Sequence, residues 1–365
     1  MLHGCFLHCN SRVYALLFFC FYLGHKMFTK KSLCLKRLND VTYELFCYIG
    51  AKKAAKQEPI SMEKRYNFRL YPTKEQEAQI QRNFGCVRWV YNHFLNESIE
   101  RYKAGEPYRG YFENCLILTK LKQQEENKWL YAADANSLQF ALKTLDIAYT
   151  EFFRRLREGT GPAGFPNYKS KKETRQSYKS AYAKAIALGR NTIKLPKLGQ
   201  VACRVSKEIE GRIISATVCQ TPSGKYYVSI CVTDFEPAQL EKTGKTVGLV
   251  PDAANLAAIT DGENITEEKT TTPPNIEKSK QKIAKLQREL SRKTSGSANR
   301  EKARLKLARA HEKLKNQKTD HLHKLTTQLV RDYDAIYISG NASPEMKAQL
   351  EYKCGWYGRE LGVRS

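Results

Sequence analysis

Residues 247–262 read Val-Gly-Leu-Val-Pro-Asp-Ala-Ala-Asn-Leu-Ala-Ala-Ile-Thr-Asp-Gly. The short apolar run at 246–249 predicts a buried strand, and residues 256–260 predict a second strand returning beside it. Pro251 closes the first strand, because it cannot donate to a ladder. Asp252 lies two residues beyond Val250 and so faces the same side of an extended chain, displaced by roughly 6.6 Å. It reads as a solvated turn residue. Val250, just past the expected strand, brings no carboxylate to its tip.

Downstream, two long basic helices are expected at 275–292 and 298–332, a strand at 335–338 and a last helix at 344–360. Ile276, Ile283, Leu286 and Leu290 form a narrow apolar seam, as do Leu307, Ala310 and Leu314. Such seams predict a helical hairpin over a sheet. Upstream, residues 165–234 read as short strands (192–195, 201–205, 213–220, 226–233), with Thr221-Pro222-Ser223-Gly224 as a hairpin turn. Residues 237–244 form a linker. Earlier still, residues 66–71 alternate as a strand, and Thr73 with Gln76 makes a capping box. Helical periodicity follows at 77–102, 116–126 and 137–157, before the loop at 159–164.

The 365 residues carry a formal charge of +25 and 41% hydrophobic residues, enough for two or three packed domains. Basic residues spread from Arg65 to Lys324 point to a polyanionic partner, and hence to nucleic acid. Residues 1–61 differ in character. They hold five of the eleven cysteines and an apolar run at 13–24, shorter than the roughly 20 residues a bilayer span needs. They read as an upstream extension, with Met62 the expected start and no membrane partner. The other six cysteines show no CxxC spacing, which argues for reduced thiols in a cytoplasm and against zinc.

Six blocks, in order, carry a resemblance. They are residues 84–92 (FGCVRWVYN), 164–172 (GFPNYKSKK), 194–199 (KLPKLG), 291–311, 323–327 (HKLTT), and 350–353 with 356–359 (LEYK, WYGR). Together with residues 247–262 they resemble TnpB, the OrfB-type insertion-sequence family of RNA-guided DNA endonucleases related to type V CRISPR effectors. The resemblance implies an α+β multidomain fold: a β-barrel wedge domain (62–72 and 164–240), an inserted helical recognition domain (73–163), and a RuvC-like ribonuclease-H domain (245–365). It also implies a guide RNA as cofactor. The target would be double-stranded DNA next to a short motif, its sequence read mainly by base pairing.

The chain departs from that pattern where the chemistry should be. Val250 stands at the first catalytic aspartate and Ser339 at the catalytic glutamate. The family's zinc-finger module and third aspartate are expected to be missing from a truncated RuvC-like domain. The expectation is therefore a TnpB-like nuclease-dead repressor: a bacterial, cytoplasmic protein that joins the nucleoid when bound to DNA and needs no metal. The open alternatives are an active endonuclease of a mobile element and a decaying relic.

Candidate contacts follow from charge, aromatic interleaving and the resemblance. Tyr168, Lys169, Lys171, Lys172 and Arg175 mix cations with rings, as in RNA-gripping loops. Arg288, Arg292, Arg300 and Arg304 lie on the basic helices with few acids to balance them. For DNA the candidates are Tyr111, Gln139, Arg88, Asn92, Tyr178, Lys179 and Lys184. Gln139 is suited to bidentate pairing with adenine. Asn92 reads equally well as a buried hydrogen-bonding residue.

Overall fold

The computed structural model describes residues 62–159, 164–172, 175–237, 240–250, 258–260, 273–339 and 342–364. The upstream extension, Asp252 and the start of the expected second strand at 256 lie outside them.

Strand β1 (Lys64–Tyr71) leads into α1 (Lys74–Lys103). The capping box forms: Thr73 Oγ1 accepts from Gln76 N–H, and Gln76 Oε1 accepts from Thr73 N–H. These bonds satisfy two amides that the first helical turn leaves without partners. Helix α2 (Tyr111–Gln123), a 3-10 segment (Glu125–Ala132) and α3 (Ala135–Glu158) complete the helical part. Asp134 caps α3, and Gly159 ends it in the left-handed conformation at φ +63°.

Strands β2 (Gln176–Ser180), β3 (Ala187–Leu188), β4 (Thr192–Leu195), β5 (Gly199–Arg204), β6 (Arg212–Gln220) and β7 (Tyr226–Thr233) follow. They join β1 in one seven-stranded sheet of order β2-β6-β7-β1-β5-β4-β3. β1 lies antiparallel between β7 and β5, and the helical segment joins it to β2, from which β6 and β7 separate it in the sheet. Alternation then sorts the side chains. Tyr66, Phe68, Leu70, Val218, Val228 and Ile230 point into a core shared with Ile80, Phe84, Val90 and Phe94 of α1.

The expected barrel does not close. β2 and β3 remain sheet edges among the described residues, and the two residues of β3 pair only with β4.

A second sheet, of order β11-β10-β8-β9, contains β8 (Thr246–Val250), β9 (Ala258–Thr260), β10 (Ala335–Ser339) and β11 (Glu360–Arg364). β10 is parallel to both β8 and β11, whereas β9 is antiparallel to β8. Helices α4 (Pro274–Ser291) and α5 (Ala298–Asp332) pack as the expected hairpin. Helix α6 (Pro344–Tyr357) connects β10 to β11. It stops short of the expected residue 360, because Gly358 takes φ +64° and its N–H caps the Cys354 carbonyl. Val247, Leu249, Ile336, Ile338, Leu329 and Leu350 fill the core beneath this sheet.

Candidate nucleic-acid interface

The other face of the large sheet is polar and basic. Register places Lys179 opposite Thr217, Thr217 opposite Ser229, and Ser229 opposite Asn67, forming one row across four strands. Arg65 and Arg69 share the Asn67 face, and Arg204 lies opposite Arg69. A cleft of about 240 Å³ opens here, lined by Arg65, Lys179, Ser215, Thr217, Ser229 and the ring of Phe140 on α3. Lys179 Nζ stands 4.6 Å from that ring's centre, and Gln139, the preceding residue of α3, is exposed. The Arg69 guanidinium lies 5.4 Å from the Tyr71 ring and 5.2 Å from the Tyr227 ring. Cations, hydroxyls and rings on one face are the equipment for holding phosphates and stacking bases.

Arg65, Arg69 and Arg204 were not among the sequence candidates. Their signal was available in Lys64–Tyr71, whose alternation makes one face apolar and leaves the other to Arg65, Asn67 and Arg69.

The loop at 164–172 is held by four contacts. Asn92 Nδ2 donates to the Lys169 carbonyl at 2.9 Å, and the Lys169 N–H donates to Asn92 Oδ1 at 2.8 Å. The Lys169 ammonium sits 4.0 Å from the Tyr91 ring centre, and the Tyr168 hydroxyl donates to Asn96 at 3.0 Å. Lys171, Lys172 and Arg175 are exposed. Asn92 and Lys169 thus serve to shape the loop. Arg88 reaches Gln176 at 3.5 Å, and Lys184 is exposed on a short turn.

Three further candidates change character. Tyr178 is buried edge-on against Phe84, where burial drives its hydroxyl pKa upward, so its ring cannot stack on a base. Arg300 donates to the carbonyls of Leu290 and Lys293, capping the end of α4. Tyr111 is half-buried against Phe112 at the start of α2. Arg288 and Arg292 are exposed on the hairpin, and Arg304 is paired with Glu301.

In the second sheet, Ile338 is the register partner of Leu249, so Ser339 and Val250 lie side by side at the carboxyl ends of parallel strands. Ser339 is also the register partner of Arg364. Carboxyl ends of parallel strands are where open α/β sheets commonly build sites. Among the described residues, no three His, Cys, Asp or Glu side chains converge.

Two sequence models of the OrfB IS605 family match the chain: one described as a helix-turn-helix domain at residues 62–107, the other as "Probable transposase" at 229–340. In the structure, the first of these segments is β1 followed by a single 30-residue helix. The chain is 35% identical over 322 residues to a Streptomyces pristinaespiralis protein provisionally named an RNA-guided DNA endonuclease, covering 82% of this chain and 76% of that one. It is 32% identical over 302 residues to InsQ of Escherichia coli K12, provisionally named likewise, covering 82% and 71%. Among solved structures it resembles a chain of a Cas12f1–sgRNA–target DNA complex at TM-score 0.48 and 9% identity, covering 83% of this chain and 89% of that one.

Proposed function

The chain belongs to the OrfB family of IS605-type insertion sequences, the TnpB family, and from that membership we propose that it is an RNA-guided protein that binds DNA by sequence and leaves it uncut. The observation that carries the proposal is the parallel register of β8 and β10, whose last partners, Leu249 and Ile338, are followed by Val250 and Ser339 at adjacent strand ends. Divalent cations in nuclease sites are held by carboxylate oxygens, often two ions about 4 Å apart. Valine offers no donor and serine one neutral hydroxyl, so these residues do not fit the metal ions that the family resemblance implies.

The rest of the molecule supports retained binding. Both hydrophobic cores are filled, which speaks against a decaying relic. The basic sheet face, the clamped loop and the helical hairpin supply cations for a guide RNA and for a duplex beside a short motif. In this reading the protein grips phosphates and helical shape, while base pairing reads the target. A bound R-loop obstructs a polymerase without any chemistry, so the proposed role is transcriptional repression.

A guide exchange tests the guided half. With two unrelated guides loaded in turn, DNA preference is expected to follow the guide, while the neighbouring motif stays fixed. A preference that stays with the protein when the guide is changed would leave an ordinary DNA-binding protein.

A further inference from the structure

Helix α5 is rich in basic residues, and two of its four acids pair within the helix: Glu301 with Arg304, and Asp320 with Lys324. Glu312 does not. Although Arg309 and Lys313 are its helical neighbours, its side chain reaches off the helix to the hairpin between β6 and β7. Oε1 accepts from the Tyr227 hydroxyl at 2.9 Å, and Oε2 lies 2.9 Å from Lys225 Nζ. The Glu312 side chain is only 13% exposed. Burial alone would raise its pKa, but the neighbouring Lys225, Ser223 and Tyr227 outweigh that and hold it below the usual carboxylate range. Even so, Oε2 is buried without a well-directed hydrogen bond and meets Lys225 by charge alone.

The surroundings suit a larger anion than a carboxylate. A cleft of about 510 Å³ adjoins Glu312, lined by Lys225, Arg309, Lys313, Asn316, Gln317 and Asp320, the last paired with Lys324. On Tyr227, the Arg69 guanidinium stacks from the basic sheet face, so the cradle continues the surface described above. Lys225 is the hairpin's ammonium, and Glu312 is the acid that engages it.

We propose that this cradle is a phosphate site of the nucleic-acid surface, closed in the free protein by Glu312, whose carboxylate stands in for the phosphate that displaces it. The inference rests on the nucleic-acid reading above and adds a resident competitor to it. Displacement frees Glu312 toward solvent and gives Lys225, the Tyr227 hydroxyl and the flanking Arg309 and Lys313 a phosphodiester in its place.

The test uses the full chain and a labelled RNA stem-loop, titrated over a range of salt. Glu312→Gln keeps the shape and removes the charge, and its thermal melt checks that the fold is kept. It is expected to bind about fivefold tighter near 0.1 M salt, with the slope of log affinity against log salt steeper by roughly 0.7 to 0.9, the signature of one added phosphate contact. In a Lys225→Ala background the same change is expected to give no gain. If Glu312→Gln binds the RNA no better than the wild type, Glu312 is a strut between hairpin and helix, and the proposal falls. A gain that persists without Lys225 also overturns it, since a general field effect would then be responsible. Wild-type protein that fails to bind RNA at all overturns the functional reading as well.

Discussion

Asn92 spends both ends of its amide on the backbone of Lys169, 77 positions away. Replacing it with alanine leaves a carbonyl and an N–H without those partners, but both are only half-buried and water takes up part of the loss, so the two together cost about 1–3 kcal/mol. Urea unfolding of Asn92→Ala without nucleic acid is therefore expected to show a loss of about 1–3 kcal/mol. An unchanged midpoint would mean that the residue serves only a ligand. The sequence left these two roles open, because a lone asparagine on a helix carries no sign of a partner so distant in the chain. Lys353 was less legible still. Its ammonium is buried and donates to the His323 carbonyl at 2.9 Å, Thr326 Oγ1 at 2.6 Å and Thr327 Oγ1 at 2.8 Å, all neutral acceptors. Burial pushes its pKa down to about 8, from 10.5. Between those values the unfolded chain binds more protons than the folded one, so this group adds stability as pH rises from 8 toward 10.5 and loses it as pH falls through 8. Melting temperatures of wild type and Lys353→Met, compared from pH 7 to 10, are expected to show this rise in the wild type only. Parallel curves would refute it.

Among the elements, those fixed by local chemistry were readable: the capping box before α1, the alternating β1, the Thr221–Gly224 turn and the two seams of the helical hairpin. What escaped depended on contacts distant in sequence. Residue 360 reads as the end of the last helix, yet β10 supplies a parallel ladder to residues 360–364 and Gly358 breaks the helix before it. Closure of the large sheet could not be judged from strand count, because it turns on whether β2 and β3 meet. Tyr178 looked like a stacking ring until its strand register turned it toward Phe84. For the loop at 164–172, the outward cations are those with work left to do. Lys171→Ala, Lys172→Ala and Arg175→Ala combined are expected to weaken RNA loading, with each lost phosphate contact lowering the salt slope by roughly 0.7 to 0.9. An unchanged slope would make the cluster a solvated surface.

Across the whole molecule, a charge of +25 is carried on a scaffold whose two cores are intact, while the paired strand ends of the second sheet hold a valine and a serine. A polyanionic partner is what the composition leads one to expect, and the valine at the first strand end was readable in residues 247–262. That Val250 and Ser339 are neighbours in space came only with the parallel register of β8 and β10. Restoring one of them is not expected to restore chemistry: Val250→Asp alone supplies one carboxylate where two ions need several. The most direct test is to incubate the guide-loaded protein with matched duplex DNA and magnesium or manganese, then measure retention and strand scission on the same sample. Stable guide-dependent retention with scission no greater than in a heat-killed control is the expected result. Guide-dependent cutting above that control would contradict the account.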